Sequence, residues 1–280
     1  MSIEEGDNNV LDRFRITDRV AIVTGGAGLL GRSHAMALAS AGGMVVLADL
    51  QKQAAEDVAN EVRSQTGGGC LAVKADVTSA ESVSALVKTT LKHYGRIDIL
   101  VNNAALDPKF DPEHSGQHSN SFEDFPVEAW QRSLDVNVTG MFLCAQAVAP
   151  TMLEAGQGVI VNVSSTYGLV GPDQRLYQRE GEPARYKPVT YSVAKAAVLG
   201  LTRYLATYYG NRGIRVNAIT PGGVFAGHDD EFVKRYSAKT VLGRMAEKEE
   251  ISSALLFLVS DASSYMTGAN LVVDGGWTAW

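Results

Sequence analysis

Seven short apolar runs, rich in β-branched residues, recur along the chain at 20–23, 44–48, 70–74, 97–101, 159–163, 214–219 and 270–273. Each is almost continuously apolar rather than alternating, as parallel strands covered on both faces require. Between them, longer stretches with helical spacing lie near 30–41, 51–65, 79–93, 127–153, 190–210 and 247–259. This β–α alternation predicts an α/β fold: a doubly wound parallel sheet of about seven strands with helices on both faces. No linker, repeat or composition shift divides the chain, so one domain is expected over 16–280. The acidic, polar start of the chain predicts a flexible extension over 1–15 with little apolar surface to bury.

Two segments interrupt the alternation. The first, 106–125, holds Pro108, Pro112, Gly116, His114 and His118; the second, 171–188, holds Pro172, Gly181, Pro183 and Pro188. Loops this long in a compact domain are usually functional or disordered. Both follow strands, which places them at the carboxyl edge of the sheet, where such folds bind ligands. The helices at 127–153 and 190–210 are apolar on more than one face (Phe142, Leu143, Ala145, Ala147, Val148; Ala194, Ala197, Leu199, Leu201, Leu205). With the sheet behind them, the spare faces predict a subunit interface.

A hydrophobic content of 45% and a charged content of 20% are ordinary for a globular protein, so function must be sought in motifs. The net charge of −6 offers no basic footprint for nucleic acid. No apolar run looks long enough to cross a bilayer, and the N-terminus does not read as a signal peptide. Cys70 and Cys144 sit in apolar surroundings and are expected as reduced core residues of a cytoplasmic protein. His114 and His118 are too few to hold a metal, and none is expected.

The first strand runs into Thr24-Gly25-Gly26-Ala27-Gly28-Leu29-Leu30-Gly31, and a helix follows. Strand, glycine turn and helix together are the context in which G-x-G-x-x-G binds a dinucleotide, so the sheet is expected to be Rossmann-type. The glycines permit close backbone approach, and the helix N-terminus faces the pyrophosphate. The second strand ends at Asp49, whose carboxylate can accept from ribose hydroxyls and would repel a 2′-phosphate. Leu50 brings no compensating charge, so NAD is expected rather than NADP. Asp76 and Val77 follow the third strand, where the adenine would lie; Asn102, Asn103 and Ala104 follow the fourth.

Tyr191 and Lys195 stand four residues apart, one turn apart on one helix face. An ammonium beside a phenol favours the phenolate and lowers its pKa. Tyr191 is therefore a candidate proton donor or acceptor.

With these motifs in this order, the chain resembles the short-chain dehydrogenase/reductase family, compact single-domain type, from Ile16 to Trp277. Further matching residues are Asn137, the Ser164-Ser165 pair, Pro221-Gly222-Gly223-Val224 and Asp274-Gly275-Gly276. The resemblance implies a catalytic set of Asn137, Ser165, Tyr191 and Lys195. Tyr191 would exchange the hydroxyl proton and Ser165 would hydrogen-bond the substrate oxygen. Lys195 would hold the nicotinamide ribose and depress the Tyr191 pKa. Asn137 would hold a helix irregularity. It also implies cofactor contacts at Gly25, Gly28, Leu29, Leu30, Gly31, Asp49, Asp76, Val77, Asn103, Ala104, Tyr191, Lys195, Pro221, Gly222 and Val224. A homodimer or homotetramer built on the two apolar helices is implied as well.

Three departures stand out. Leu29 occupies a place where compact members usually have glycine, giving a turn more like that of nucleotide-sugar epimerases and dehydratases. Ser165 and Tyr191 are further apart than usual, the excess being the 171–188 insertion. Ala226 stands where relatives often have a cofactor-touching threonine. The insertions, the Leu29 turn and the stretch 164–168 are also similar to oxidoreductases of flagellin-glycan and nonulosonate sugar pathways. The expected activity is NAD-dependent interconversion of a secondary alcohol and a ketone on a hydroxylated, sugar-like or other small polar substrate. The alternative is an epimerase or dehydratase holding NAD tightly. Ser165, Tyr167, Arg175 and Tyr191 are the candidate substrate contacts, and arginines of the second insertion are candidates to clamp an anionic group.

Overall fold

The computed structural model describes residues 9–107, 120–181 and 184–280. Its seven strands are β1 (Val20–Thr24), β2 (Met44–Asp49), β3 (Cys70–Lys74), β4 (Ile99–Asn102), β5 (Gly158–Val163), β6 (Ile214–Pro221) and β7 (Asn270–Val273). They form one all-parallel sheet in the order β3-β2-β1-β4-β5-β6-β7, as the continuous apolar runs predict. Val20 pairs with Met44 on one side of β1, and Ala21 with Ile99 on the other. The chain reverses its direction of travel across the sheet between β1 and β4. That switch point opens a crevice at the carboxyl ends of the strands.

Eight helices cover the sheet among the described residues: α1 (Leu29–Ser40), α2 (Lys52–Thr66), α3 (Ala80–Tyr94), α4 (Val127–Leu134), α5 (Gly140–Ala155), α6 (Val189–Tyr209), α7 (Asp230–Ser237) and α8 (Lys248–Val259). Alternate residues of β1 face opposite cores. Ala21 and Val23 pack with Ala35 and Leu38 of α1, Ala55 and Val58 of α2, and Ile251 and Leu255 of α8. Val20 and Ile22 pack with Val83 and Leu86 of α3, Cys144 and Val148 of α5, and Leu205 of α6. Both cysteines are free and buried, and burial pushes each thiol up to about 12.

Four expectations change. The single helix expected over 127–153 is two helices joined by a π-helical turn, Asp135–Thr139. Together they form a 29-residue helical span, Val127–Ala155, with a window long and apolar enough by length and composition to cross a membrane, contrary to the reading of the bare sequence. Its apolar residues Cys144, Ala145, Val148 and Met152 are instead buried in the core against the sheet. Helix α7 was not expected at all. Finally, the N-terminal extension is partly built in: Val10–Phe14 forms a 3-10 turn, and Arg13 donates to the Asp261 carbonyl and the Ser264 hydroxyl. Residues 1–8, and His114 and His118 of the first insertion, lie outside the described residues.

Candidate active site

Side chains at the carboxyl ends of the strands build two adjoining regions. The glycine turn begins the first. Gly25 has φ +63°, and a Cβ there would sit 2.8 Å from the Ala104 Cα; at Gly31 a Cβ would come 2.2 Å from the Gly25 carbonyl oxygen. Glycine is therefore required for the turn to fold back on α1 and against β4. Helix α1 starts after Gly28 with no side-chain cap. The first-turn N–H groups of Leu29, Leu30 and Gly31 thus lack intrahelical acceptors, the usual donor set for a pyrophosphate.

A cleft of about 670 Å³ opens beside this turn and is lined by Gly25, Asp49, Asp76, Val77, Ala104 and Leu106, among others. Five predicted cofactor contacts thus share one surface. The Asp49 carboxylate accepts from the Ala27 N–H and the Gln51 N–H, each at 3.0 Å, which fixes it at the cleft wall. Arg32, the residue after the glycine turn, pairs at 2.6 Å with Glu61 of α2. Asp76 accepts from the backbone and hydroxyl of Thr78. Asn103 is an anchor: its amide donates to the carbonyls of Thr24 and Gly25, pinning the β4 loop to the turn. Leu29 is largely exposed and Leu30 packs on the core. Pro221 ends β6, and Gly222 lines a separate small pocket with Tyr236 and Asp274. Val224 bridges to Ala246.

The second region is built on α6 and the end of β5. Lys195 is 2% exposed, and its ammonium donates to the Val163 carbonyl at 2.8 Å. The two serines divide the work. Ser164 donates to the Lys195 carbonyl at 2.8 Å and locks β5 to α6. Ser165 accepts from the Tyr167 N–H, and its hydroxyl lies close enough to the Tyr191 phenol to favour its ionised form. Asn137 lies in the π turn; its amide accepts from Leu106 N–H at 2.7 Å and donates to Leu106 carbonyl at 3.0 Å. The predicted helix irregularity is present, and it grips the chain leaving β4.

Electrostatics at Tyr191 differ from expectation. Burial pushes the phenol above its ordinary value, and the Asp107 carboxylate adds to the rise; Ser165 opposes both. The Lys195 ammonium is 5.8 Å from the ring centroid, whereas that of Lys187 is 4.0 Å away. Lys195 itself is pulled down to about 8 by burial. The expected depression of the Tyr191 pKa is absent here because desolvation outweighs the neighbouring lysine.

The substrate candidates separate. Tyr167 is buried, accepts from the Tyr177 hydroxyl at 3.0 Å and meets Tyr191 edge-on at 6.5 Å. It is a wall of the site, within a cluster with Tyr236 and Trp277. Arg175 is corrected: its side chain is 85% exposed and pairs with Asp173. The insertion's other charges also staple it to α7. Arg179 pairs with Asp229, Arg235 donates to the carbonyls of Arg175 and Gln178, and Lys239 pairs with Asp173. Sequence reading missed Asp107 and the aromatic wall from α7 and the C-terminus. Only Lys187, last residue but one before α6, carried a signal, as one basic residue among several.

Comparison with known proteins agrees with this geometry. A family model described as Enoyl-(Acyl carrier protein) reductase matches residues 26–278. The trans-4-hydroxycyclohexanecarboxylate dehydrogenase of Sinomonas cyclohexanicum is 39% identical over 274 residues, covering 95% of each chain. A short-chain type dehydrogenase/reductase from Mycobacterium marinum superposes with a TM-score of 0.84 at 34% identity, over 97% of this chain and 100% of that one. A gluconate 5-dehydrogenase from Burkholderia cenocepacia, solved with NADP and tartrate, gives 0.83 at 30% identity over 97% and 100%. A glycine turn, an uncapped helix and an Asn–Ser–Tyr–Lys set on a seven-stranded parallel sheet, matched along almost the whole length by such relatives, identify this chain as a member of the short-chain dehydrogenase/reductase family, an oxidoreductase of alcohols and ketones that works with NAD or NADP.

Proposed function

We propose that the protein is an NAD(H)-dependent dehydrogenase or ketoreductase acting at a secondary alcohol of a small, polar, hydroxylated substrate. The observation that carries this reading is that the cleft walled by Asp49 continues through Leu106 and Asp107 to Lys187, which lies over the ring of Tyr191, on the helix that also holds Lys195. A bound nicotinamide would accept or return the hydride at the alcohol carbon. The chain's own residues handle the oxygen and its proton. Tyr191 takes the proton from the alcohol, or returns it to the ketone oxygen. Ser165 donates a hydrogen bond to the same oxygen as negative charge develops there. Lys195, buried on α6, supplies positive charge near the phenol and a donor toward the nicotinamide ribose. Asn137 holds the β4 loop in place through both polar groups of Leu106.

NAD is favoured over NADP by Asp49, a carboxylate at the place of the adenosine ribose, and by Arg32 being engaged on Glu61. The gluconate 5-dehydrogenase neighbour was solved with NADP, so the choice is a property to be measured on this chain. Substrate polarity is supported by the relatives' hydroxy acids and by the charged pair beside Tyr191. We further propose a homodimer or homotetramer through α5 and α6. Their inner faces pack on the sheet, yet Phe142, Val193, Tyr204 and Tyr208 stay 40–63% exposed. Buried free cysteines suit a cytoplasmic location.

The test is an NAD⁺ reduction assay over hydroxy acids, polyols, aldoses and nucleotide sugars. NADH appearing with one class supports the dehydrogenase reading and names the class. A nucleotide sugar altered without net NADH would replace it by the epimerase or dehydratase alternative.

A further inference from the structure

Each insertion brings a charged residue beside the catalytic tyrosine, Asp107 from the start of the first and Lys187 from the end of the second. Lys187, in the second, is 8% exposed, and its ammonium meets the Asp107 carboxylate of the first at 2.7 Å. The same ammonium lies 4.0 Å from the Tyr191 ring centroid, closer than that of Lys195 at 5.8 Å. Neither position is left to chance. The Lys187 N–H donates to the Gln174 side-chain oxygen at 2.8 Å, and the Gln174 amide donates back to the Lys187 carbonyl. Asp107 follows Leu106, whose backbone Asn137 holds by two hydrogen bonds. A nearly buried ion pair is expensive in desolvation and is weak evidence for stability alone.

We propose that Lys187 and Asp107 are positioning residues that set the proton affinity of Tyr191: Lys187 as a second cation favouring the phenolate, Asp107 as the anion that holds Lys187 there and opposes it. The inference rests on the reading of Tyr191 as the proton-exchanging group. Among the described residues, the other groups facing Tyr191 are Ser165 and Tyr167 after β5, Tyr177 in the second insertion, Lys195 on α6 and Tyr236 on α7. Among them only Lys195 is a cation, and it is turned to the Val163 carbonyl. The pair acts with opposite signs at Lys195 too, Asp107 raising and Lys187 lowering its pKa. Because the partners come from different insertions, the contact between Asp107 and Lys187 fixes the charge balance at the reacting phenol.

The test reads Tyr191 directly. Full-length protein is labelled isotopically at the hydroxyl-bearing carbon of tyrosine and titrated by NMR, with and without NAD⁺. The Tyr191 signal is assigned by its loss in Tyr191→Phe. Lys187→Met removes the cation nearest the ring and should raise the Tyr191 ionisation by about one pH unit, the size an adjacent charge confers. Asp107→Asn leaves Lys187 unopposed and should lower it by about as much. The double variant should return near the wild type. An ionisation brought into the accessible range only by Asp107→Asn supports the proposal equally. Two single variants that move Tyr191 the same way, or a Tyr191 that no variant moves, would reduce the pair to a staple between loops and overturn it. Failure of the dehydrogenase reading looks different: no alcohol would be oxidised, while these shifts would still be measured.

Discussion

Tyr191 sits in an environment that resists ionisation, with burial and Asp107 both raising its pKa. A protonated phenol at neutral pH suits the proton donor of ketone reduction, whereas alcohol oxidation needs the deprotonated form. Oxidation by this enzyme should therefore rise with pH into the alkaline range, and reduction should not; rates measured in both directions across pH check this. Asp49 makes a separate residue-scale prediction. Asp49→Asn removes the charge proposed to exclude a 2′-phosphate, and the ratio of kcat/KM for NAD to that for NADP should fall at least about tenfold, roughly 1.4 kcal/mol. An unchanged ratio would remove Asp49 from cofactor choice. Glycines, Asp49 and the Tyr–Lys pair were legible in the sequence because each chemistry demands a residue type at a local spacing. Asp107 beside Lys187 was not, because nothing local relates residues eighty positions apart. Arg175 misled for the same reason: its charge was visible, but its pairing with Asp173 was not.

Helix packing supplies a prediction of its own where α1 meets α8. His34 is fully buried; its Nδ1 meets the Ser252 hydroxyl at 2.9 Å, and its Nε2 has no hydrogen-bond partner. Burial lowers its pKa from 6.5 to about 4. The folded state therefore keeps the ring neutral, while the unfolded chain takes up a proton as the pH falls below 6.5. The folded state loses stability across that window, by about 2 kcal/mol between about pH 7 and about pH 5. Urea unfolding at the two pH values should show the loss, and His34→Gln should reduce it; an equal loss in the variant would clear His34. At this scale the strands and most helices were read from periodicity to within a residue or two. The π turn left no mark on periodicity, because its one-residue irregularity keeps the apolar spacing of 127–153 nearly intact; only the family resemblance pointed to an irregularity at Asn137. Helix α7 escaped because it is short and polar, held by its Asp229 cap and by the charges that staple it to the second insertion.

For the whole molecule, the apolar residues left uncovered on α5 and α6 predict an oligomer. Light scattering at micromolar concentration should report a dimer or tetramer, and Phe142→Glu with Tyr204→Glu should shift it toward monomer. A wild-type monomer would contradict the interface. The all-parallel sheet follows from strand composition, and its carboxyl edge gathers the turn, Asp49, Asn103, Ser165 and the two insertions into one place. The meeting of Asp107 and Lys187 at that edge is a long-range ion pair, so it emerged only in three dimensions. The most direct test of the account compares wild type with Tyr191→Phe for NAD⁺ reduction by the alcohol that the substrate panel identifies, alongside NAD⁺ binding by calorimetry. The account predicts that the variant binds NAD⁺ as the wild type does and loses roughly a hundredfold or more in kcat. A variant that still oxidises the alcohol at a near-normal rate would contradict it, and the proton would have to leave through another group.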